Sequence, residues 1–174
     1  MKPKLIYITG ILLLLTSCRS SLPSYNYKEL ARAGITLGID IDLNDYHKLY
    51  IESANWIGSP YRHGGNSKHG TDCSGLTSSL YKKVYHIKLP RSTNEQIKVC
   101  HRIKKNALKE GDLVFFHGTH SKRKPTHVGI YLKDGNFIHA SNSHGVIVSN
   151  LNENYYHKYW LSGGRINRKK RLHM

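Results

Sequence analysis

Apolar side chains recur at helical spacing in two stretches of the first half of the chain. The first begins near residue 44 or 45, where a short polar residue is a typical N-cap, and ends at Gly58-Ser59-Pro60. The second begins at Cys73. The two apolar faces consist of Tyr46, Leu49, Tyr50, Ala54 and Ile57, and of Leu76, Leu80 and Val84. The pattern predicts two helices here, followed by a short helix over residues 94–100.

The pattern changes after Asp112, where short runs rich in β-branched and aromatic residues replace the helical spacing. Polar or glycine-containing turns separate these runs, as in hairpins. The runs span residues 113–116, 128–132, 136–139, 146–148 and 160–166. Helices first and an antiparallel sheet second predict an α+β fold, with N-terminal helices packed on a C-terminal sheet.

The start of the chain has the features of an export signal. Two lysines precede an apolar run, residues 5–16, which is too short for a membrane-spanning helix of about 20 residues. The run ends in Leu15-Thr16-Ser17-Cys18, which resembles the bacterial lipobox. We therefore expect residues 1–17 to be a lipoprotein signal peptide and Cys18 to be lipidated. The alternative is an ordinary signal peptide with an incidental cysteine.

The remaining chain divides into three parts by composition. Residues 18–43 are polar and have no sustained period, so we expect a lipidated N-terminus and a tether with room for one short helix. Residues 44–167 carry the predicted helices and strands and form the expected domain. Residues 168–174 include a run of four basic residues and are expected to be a solvated tail.

Composition adds a strong charge imbalance. The chain has 27 Lys and Arg against 11 Asp and Glu, a formal net charge of +16. A net positive charge of this size favours a polyanionic partner such as nucleic acid, anionic lipid or a charged wall polymer. Because an exported protein meets wall polymer rather than nucleic acid, no nucleic-acid function is expected. With only three cysteines, a disulfide-built scaffold is excluded.

Cys73 is the first candidate for chemistry. Asp72 precedes it as a predicted N-cap, which places the sulfur at the positive end of the helix dipole. There the pKa of a thiol falls and the nucleophilic thiolate is favoured. The alternative is a structural, buried cysteine, which is the expectation for Cys100. A Cys73–Cys100 disulfide, which would silence the thiol, also stays open in an oxidising envelope.

Two histidines, His127 and His139, fall in neighbouring predicted strands and offer a base and an orienting group for such a thiol. A two-residue turn at Asp134-Gly135 places them on opposite faces of the hairpin. A three-residue turn or a bulge instead sets His139 opposite Gly129, on the same face as His127, with backbones ~7–8 Å apart. Cooperation between the histidines therefore predicts that the turn is not a two-residue one. Otherwise both are structural or solvent-exposed residues.

Six segments in order over residues 46–166 resemble the NlpC family of papain-like cell-wall cysteine peptidases, especially its small single-domain lipoprotein murein endopeptidases. The segments are Trp56-Ile57-Gly58-Ser59-Pro60-Tyr61-Arg62-His63-Gly64-Gly65, Thr71-Asp72-Cys73-Ser74-Gly75-Leu76, Leu89-Pro90-Arg91-Ser92-Thr93, Gly111-Asp112-Leu113-Val114-Phe115, His127-Val128-Gly129-Ile130-Tyr131 and Phe137-Ile138-His139-Ala140-Ser141. Each segment alone is weak evidence for the family, whereas six segments in the family's order make the resemblance specific.

The resemblance implies a papain-like fold and a role for each matching residue. By it, Cys73 is the nucleophile, His127 its base, and His139 the group that orients His127. The Tyr61 hydroxyl is expected near the sulfur, where it helps to stabilise the oxyanion. For Tyr61 the alternative is an aromatic ring that only packs on the first helix.

Substrate contacts are implied on both sides of the nucleophile. By the same resemblance, Asp72 and Ser74 help to position the substrate peptide. We further expect Arg62 or Arg91 to meet the carboxylates of peptidoglycan stem peptides.

These observations predict a monomeric lipoprotein of the cell envelope, anchored through Cys18 on the periplasmic side of the outer membrane. It is expected to hydrolyse an amide bond in peptidoglycan stem peptides or their crosslinks, without a metal or organic cofactor. Two rivals stay open. One is a zinc hydrolase with Cys73, His127 and His139 as ligands. The other is a lipid-anchored wall-binding module without activity.

Overall fold

The structure is a computed structural model that describes residues 26–119 and 121–167. The helices are α1 (Tyr27–Leu37), α2 (His47–Ala54), α3 (Cys73–Tyr85), α4 (Thr93–Gln96) and α5 (Asn154–Tyr159). The strands are β1 (Asn66–Ser67), β2 (Gly70–Thr71), β3 (His101–Ile103), β4 (Leu113–His117), β5 (Pro125–Tyr131), β6 (Asn136–Ser141), β7 (Gly145–Asn150) and β8 (Trp160–Arg165). The predicted signal peptide, Cys18 and the basic tail lie outside the described residues.

A six-stranded antiparallel sheet in the order β3-β8-β4-β5-β6-β7 forms the C-terminal half. The apolar sides of α2 and α3 pack against one face of this sheet in the main core. A smaller cluster on the other face joins Val114 and Phe116 to aromatic residues of and after α5. Burial on both faces explains the unbroken apolar run in β4. The predicted α+β fold is confirmed.

The β5–β6 hairpin has the register that brings the two histidines together. Ile130 pairs with Ile138, and the Leu132 amide donates to the Asn136 carbonyl beyond the ends of the two strands. The turn is therefore Lys133-Asp134-Gly135, with positive φ at Asp134 and Gly135. Continuing this register sets Gly129 against His139, and a Cβ at Gly129 would lie 3.2 Å from that of His139. The three-residue turn places His127 and His139 on one face, as their cooperation requires.

The N-terminal boundary of the folded part differs from the prediction. Helix α1 lies inside the segment expected to be a tether, and its residues Leu30, Ala33 and Leu37 are buried. Asn26 caps its start by accepting a hydrogen bond from the Lys28 amide. The sequence allows one short helix in this segment, and in the structure this helix packs against α2 and extends the core.

Helix α2 begins two to three residues later than expected. Its N-cap is Tyr46, which makes no capping hydrogen bond with its side chain. The Asp45 carboxylate instead accepts from the Asp42 amide and pairs with Lys133, so it cannot cap the helix. Helix α3 starts at Cys73 with Asp72 as its N-cap, as predicted. No helix among residues 26–119 and 121–167 combines the length and apolarity needed to cross a membrane.

Candidate active site

Asp72 organises the loop from which the candidate nucleophile projects. Its carboxylate accepts hydrogen bonds from the Gly75 amide at 2.7 Å, the Gly64 amide at 2.8 Å and the Ser74 hydroxyl at 3.1 Å. Arg91 donates to both carboxylate oxygens, at 2.9 and 2.7 Å. Burial acts to raise the pKa of Asp72, but the Arg91 pairing and the two amides lower it overall. The ionised carboxylate thus fixes the start of α3 against the preceding loop.

Arg91 links Asp72 to two further residues around the start of α3. It also donates to the Ser74 hydroxyl at 2.9 Å and to the Gly65 carbonyl at 3.0 Å. Because the hydrogen bonds of its guanidinium go to Asp72, Ser74 and Gly65, the expectation that Arg91 meets substrate carboxylates stays a prediction. A role of Asp72 and Ser74 in positioning the substrate stays a prediction.

Cys73 is buried, with 8% of its surface exposed. Its sulfur lies 3.7 Å from the Thr93 hydroxyl. Burial raises the pKa of the thiol, while Thr93 and the backbone of Val128 and Ser74 act in the opposite direction. The net shift of the Cys73 pKa is upward, opposite to the lowering expected from the helix N-terminus. A thiol in this setting needs a base to take its proton.

The two candidate histidines are in direct contact with each other. Nε2 of His127 lies 2.9 Å from Nδ1 of His139, and the two rings are nearly perpendicular. His139 is 1% exposed and stacks on Phe137. Burial lowers the pKa of both imidazoles, so both are neutral near pH 7. The contact leaves Nδ1 of His127 as the nitrogen that can accept a proton from the thiol.

Because both histidines are held neutral, we expect stability to fall as the pH is lowered. In the unfolded chain each imidazole takes up a proton near its ordinary pKa of 6.5, whereas the folded protein resists this until lower pH. The unfolded state then binds more protons, and each such histidine removes about 1.4 kcal/mol of unfolding free energy per pH unit. We therefore expect the free energy of unfolding, measured with urea from pH 6.5 down to 4.5, to depend less on pH in His139→Gln than in the wild type, by about 1.4 kcal/mol per pH unit. Equal slopes would contradict a neutral, buried His139.

Cys73 lies between two hollows of the surface. A cavity of about 680 Å³ is lined by Cys73, His127, His139 and Tyr61, with further walls from β7 and α5. A second cavity of about 540 Å³ shares Cys73 and Tyr61 and extends along the Asp72 side. A peptide can therefore extend to either side of the thiol, with its reacting carbonyl at the sulfur.

Tyr61 lies at the junction of these cavities. Its backbone bridges to Thr71, and its side chain packs against the main core. The expected role of its hydroxyl at the oxyanion stays a prediction. Burial, Cys73 and Asp72 raise the pKa of the phenol. The hydroxyl stays protonated and can donate a hydrogen bond, as the oxyanion role requires.

Cys100 has the character of a small core residue. Its thiol donates to the Gln96 carbonyl at 3.1 Å, and burial raises its pKa to about 12. Both Cys73 and Cys100 are free thiols.

The zinc alternative gains no support from the donor geometry. Among the described residues, no group of three His, Cys, Asp or Glu side chains is arranged to hold a metal ion. The hydrogen bond between His127 and His139 also occupies a lone pair that a metal would need.

Two residues beside His139 were not found from the sequence. The Ser149 hydroxyl and the Tyr156 hydroxyl lie 3.1 and 3.0 Å from Nε2 of His139. Ser149 pairs with Phe137 across β6 and β7, which places it diagonal to His139 on the same face. Register reasoning of the kind applied to the histidines identifies Ser149, whereas nothing local points to Tyr156.

Comparison with known proteins places this geometry in a family. Residues 58–165 match the sequence model of the NlpC/P60 family. A probable endopeptidase NlpC homolog of Haemophilus influenzae is 31% identical over 95% of this chain and 100% of its own length. A murein DD-endopeptidase MepS/murein LD-carboxypeptidase of Escherichia coli is 41% identical over 68% of this chain and 62% of its own length.

Solved structures give the same answer for the fold. An NlpC/P60 family protein from Bacillus cereus superposes with a TM-score of 0.64 at 32% identity, covering 72% of this chain and 41% of that protein. The chain thus spans less than two thirds of the E. coli relative and less than half of the B. cereus protein.

Proposed function

The chain belongs to the NlpC/P60 family, and we propose that it hydrolyses an amide bond in peptidoglycan stem peptides or their crosslinks with Cys73 as nucleophile. A cysteine-type cell-wall endopeptidase is the activity that the family and its murein-hydrolysing relatives support. The observation that carries the residue assignment is the His127–His139 hydrogen bond beside Cys73 in one cavity.

The proposed reaction starts from a neutral thiol and a neutral imidazole. His127 takes the thiol proton on Nδ1 as the sulfur attacks the scissile carbonyl, so charge develops only when substrate is bound. The oxyanion is stabilised by backbone amides near Cys73 and by the Tyr61 hydroxyl. His139 holds the imidazolium through Nε2 of His127.

Collapse of the tetrahedral intermediate, which carries this oxyanion, breaks the amide bond. His127 gives its proton to the leaving amine, which leaves a thioester between the substrate acyl group and Cys73. His127 then takes a proton from water as the water attacks the thioester, and it returns this proton to the departing sulfur. The carboxylic acid, the free thiol and neutral His127 result. Protons and bonds balance without a cofactor.

An inhibitor comparison tests this chemistry against its rivals. We expect iodoacetamide to abolish release of muropeptides from purified peptidoglycan and EDTA to leave it unchanged, because the thiol and not a metal carries the reaction. Cys100→Ser is the matched control and should remain fully sensitive to iodoacetamide. Loss of activity with EDTA alone would support the zinc hydrolase, and a folded protein without activity under any condition would support a wall-binding module.

Membrane attachment through Cys18 is a separate part of the proposal. The lipobox-like sequence supports palmitoylated lipoprotein anchoring in the cell envelope. The proposed location is the periplasmic side of the outer membrane. We expect Cys18→Ala to move the protein from the membrane fraction to the soluble fraction and to abolish labelling by palmitate. Unchanged membrane fractionation of this variant would exclude the anchor.

A further inference from the structure

Two hydroxyl groups lie within hydrogen-bond distance of the second ring nitrogen of His139. Nε2 is 3.0 Å from the Tyr156 hydroxyl and 3.1 Å from the Ser149 hydroxyl, and Ser149 donates to Tyr156 at 3.3 Å. Phe137 stacks on the imidazole and has no hydrogen-bonding atom in its side chain. Within the described part of the chain, Ser149 and Tyr156 are the recorded partners of this nitrogen.

The direction of the hydrogen bonds follows from what His127 must do. To accept the thiol proton on Nδ1, neutral His127 must carry its hydrogen on Nε2 and donate it to Nδ1 of His139. Neutral His139 then carries its own hydrogen on Nε2. That N–H is buried, because His139 is 1% exposed, and it needs an acceptor. Among residues 26–119 and 121–167, the hydroxyl oxygens of Ser149 and Tyr156 meet this need.

Loss of both acceptors favours the reverse arrangement. His139 then avoids a buried, unsatisfied N–H by moving its hydrogen to Nδ1, where it donates to Nε2 of His127. His127 in turn must carry its hydrogen on Nδ1, the position that has to be empty for the thiol proton. A histidine in the wrong tautomer is a known cause of large losses in catalysis, about 10⁴-fold in a serine protease.

We propose that Ser149 and Tyr156 are positioning residues that set the tautomers of both histidines by accepting the Nε2 hydrogen of His139. This inference rests on the proposed cysteine-hydrolase function and adds two residues to its machinery. Either hydroxyl alone suffices as the acceptor, so the two act as mutual substitutes.

The test compares single and double variants in the full-length protein. We expect Ser149→Ala and Tyr156→Phe each to lower kcat by less than about fivefold, and the double variant to lower kcat by about 100-fold or more with KM nearly unchanged. Long-range ¹H–¹⁵N spectra should show His127 and His139 with hydrogen on Nε2 in the wild type and on Nδ1 in the double variant. The matched control, Tyr27→Phe with Ser79→Ala, removes the same two hydroxyl types outside the cleft and should change neither.

The outcomes separate this inference from the proposed function. A folded double variant that keeps either its kcat or its Nε2 tautomers overturns the inference. If the double variant does not fold, Ser149→Thr with Tyr156→Phe provides a second test, because it retains one hydroxyl acceptor. This variant should keep both its kcat and the Nε2 hydrogens of His127 and His139. A shift of these hydrogens to Nδ1 in this variant would also overturn the inference. An inactive wild type would refute the hydrolase function, while its spectra would still decide the tautomer claim.

Discussion

His127→Ala is expected to lower kcat on peptidoglycan by at least about 10³-fold, because it removes the proposed acceptor of the thiol proton. The loss should appear in kcat rather than KM, since the imidazole ring contacts the reacting atoms and not the parts of the substrate that lie far from the scissile bond. The residual rate should keep rising with pH, because burial raises the pKa of Cys73 and hydroxide must then generate the thiolate. Initial rates of muropeptide release from pH 6 to 10 measure both effects.

The control for this variant is His101→Ala, an exposed histidine on β3. It should leave kcat and its pH dependence unchanged. A His127→Ala protein with near wild-type kcat would refute the assignment of the base. An equal loss in His101→Ala would show that the effect belongs to histidine replacement in general.

Asp72→Asn is expected to lower the free energy of unfolding by about 2–4 kcal/mol, because it leaves Arg91 without its charge partner and weakens the cap of α3. The lower part of the range allows for the half-exposed Arg91 side chain. Activity should fall as well, since the start of α3 carries Cys73. Urea unfolding and initial rates at pH 7 check the two effects.

A surface ion pair provides the matched control. Glu52 lies 4.0 Å from Lys83, which is mostly exposed, and Glu52→Gln should cost less than about 1 kcal/mol. The pKa of Asp72 is lowered in the folded state, so its contribution is present at neutral pH and is lost in acid. The difference between wild type and Asp72→Asn should therefore narrow as the pH falls below the ordinary carboxyl pKa of 3.8. A stability difference that is absent at pH 7 would refute the structural role of the pair.

Local signals were sufficient for the parts of the site that lie within one element. The cap at Asp72 and the start of α3 follow from neighbouring residues. The histidine register depends on the length of one turn, which the sequence leaves open between two and three residues and the structure gives as three. The family resemblance then joined these parts into one site. Its assignments of the nucleophile, base and oxyanion donor stay predictions until variants are measured.

Contacts between distant elements were beyond the sequence. Arg91 reaches Asp72 across 19 residues, and Tyr156 reaches His139 across 17, with no repeating pattern to mark either. The sequence predicts a lowered pKa for Cys73, and the structure gives a raised one, for the same reason. The helix N-terminus is visible in the sequence, whereas the burial that outweighs it comes from tertiary packing.

Helix α1 shows the same limit at the N-terminal boundary. Its buried face consists of Leu30, Ala33 and Leu37, a pattern too short to distinguish a packed helix from a helix within a tether. Packing against α2 supplies the stability that local propensity lacks.

The most direct test of the central claim is digestion of purified peptidoglycan by wild type and by Cys73→Ala, with products identified by mass spectrometry. We predict new fragments from wild type alone, with masses that correspond to cleavage of an amide bond in a stem peptide or crosslink. The same fragments at the same rate from Cys73→Ala, or none from a folded wild type with a reduced thiol, would contradict the account.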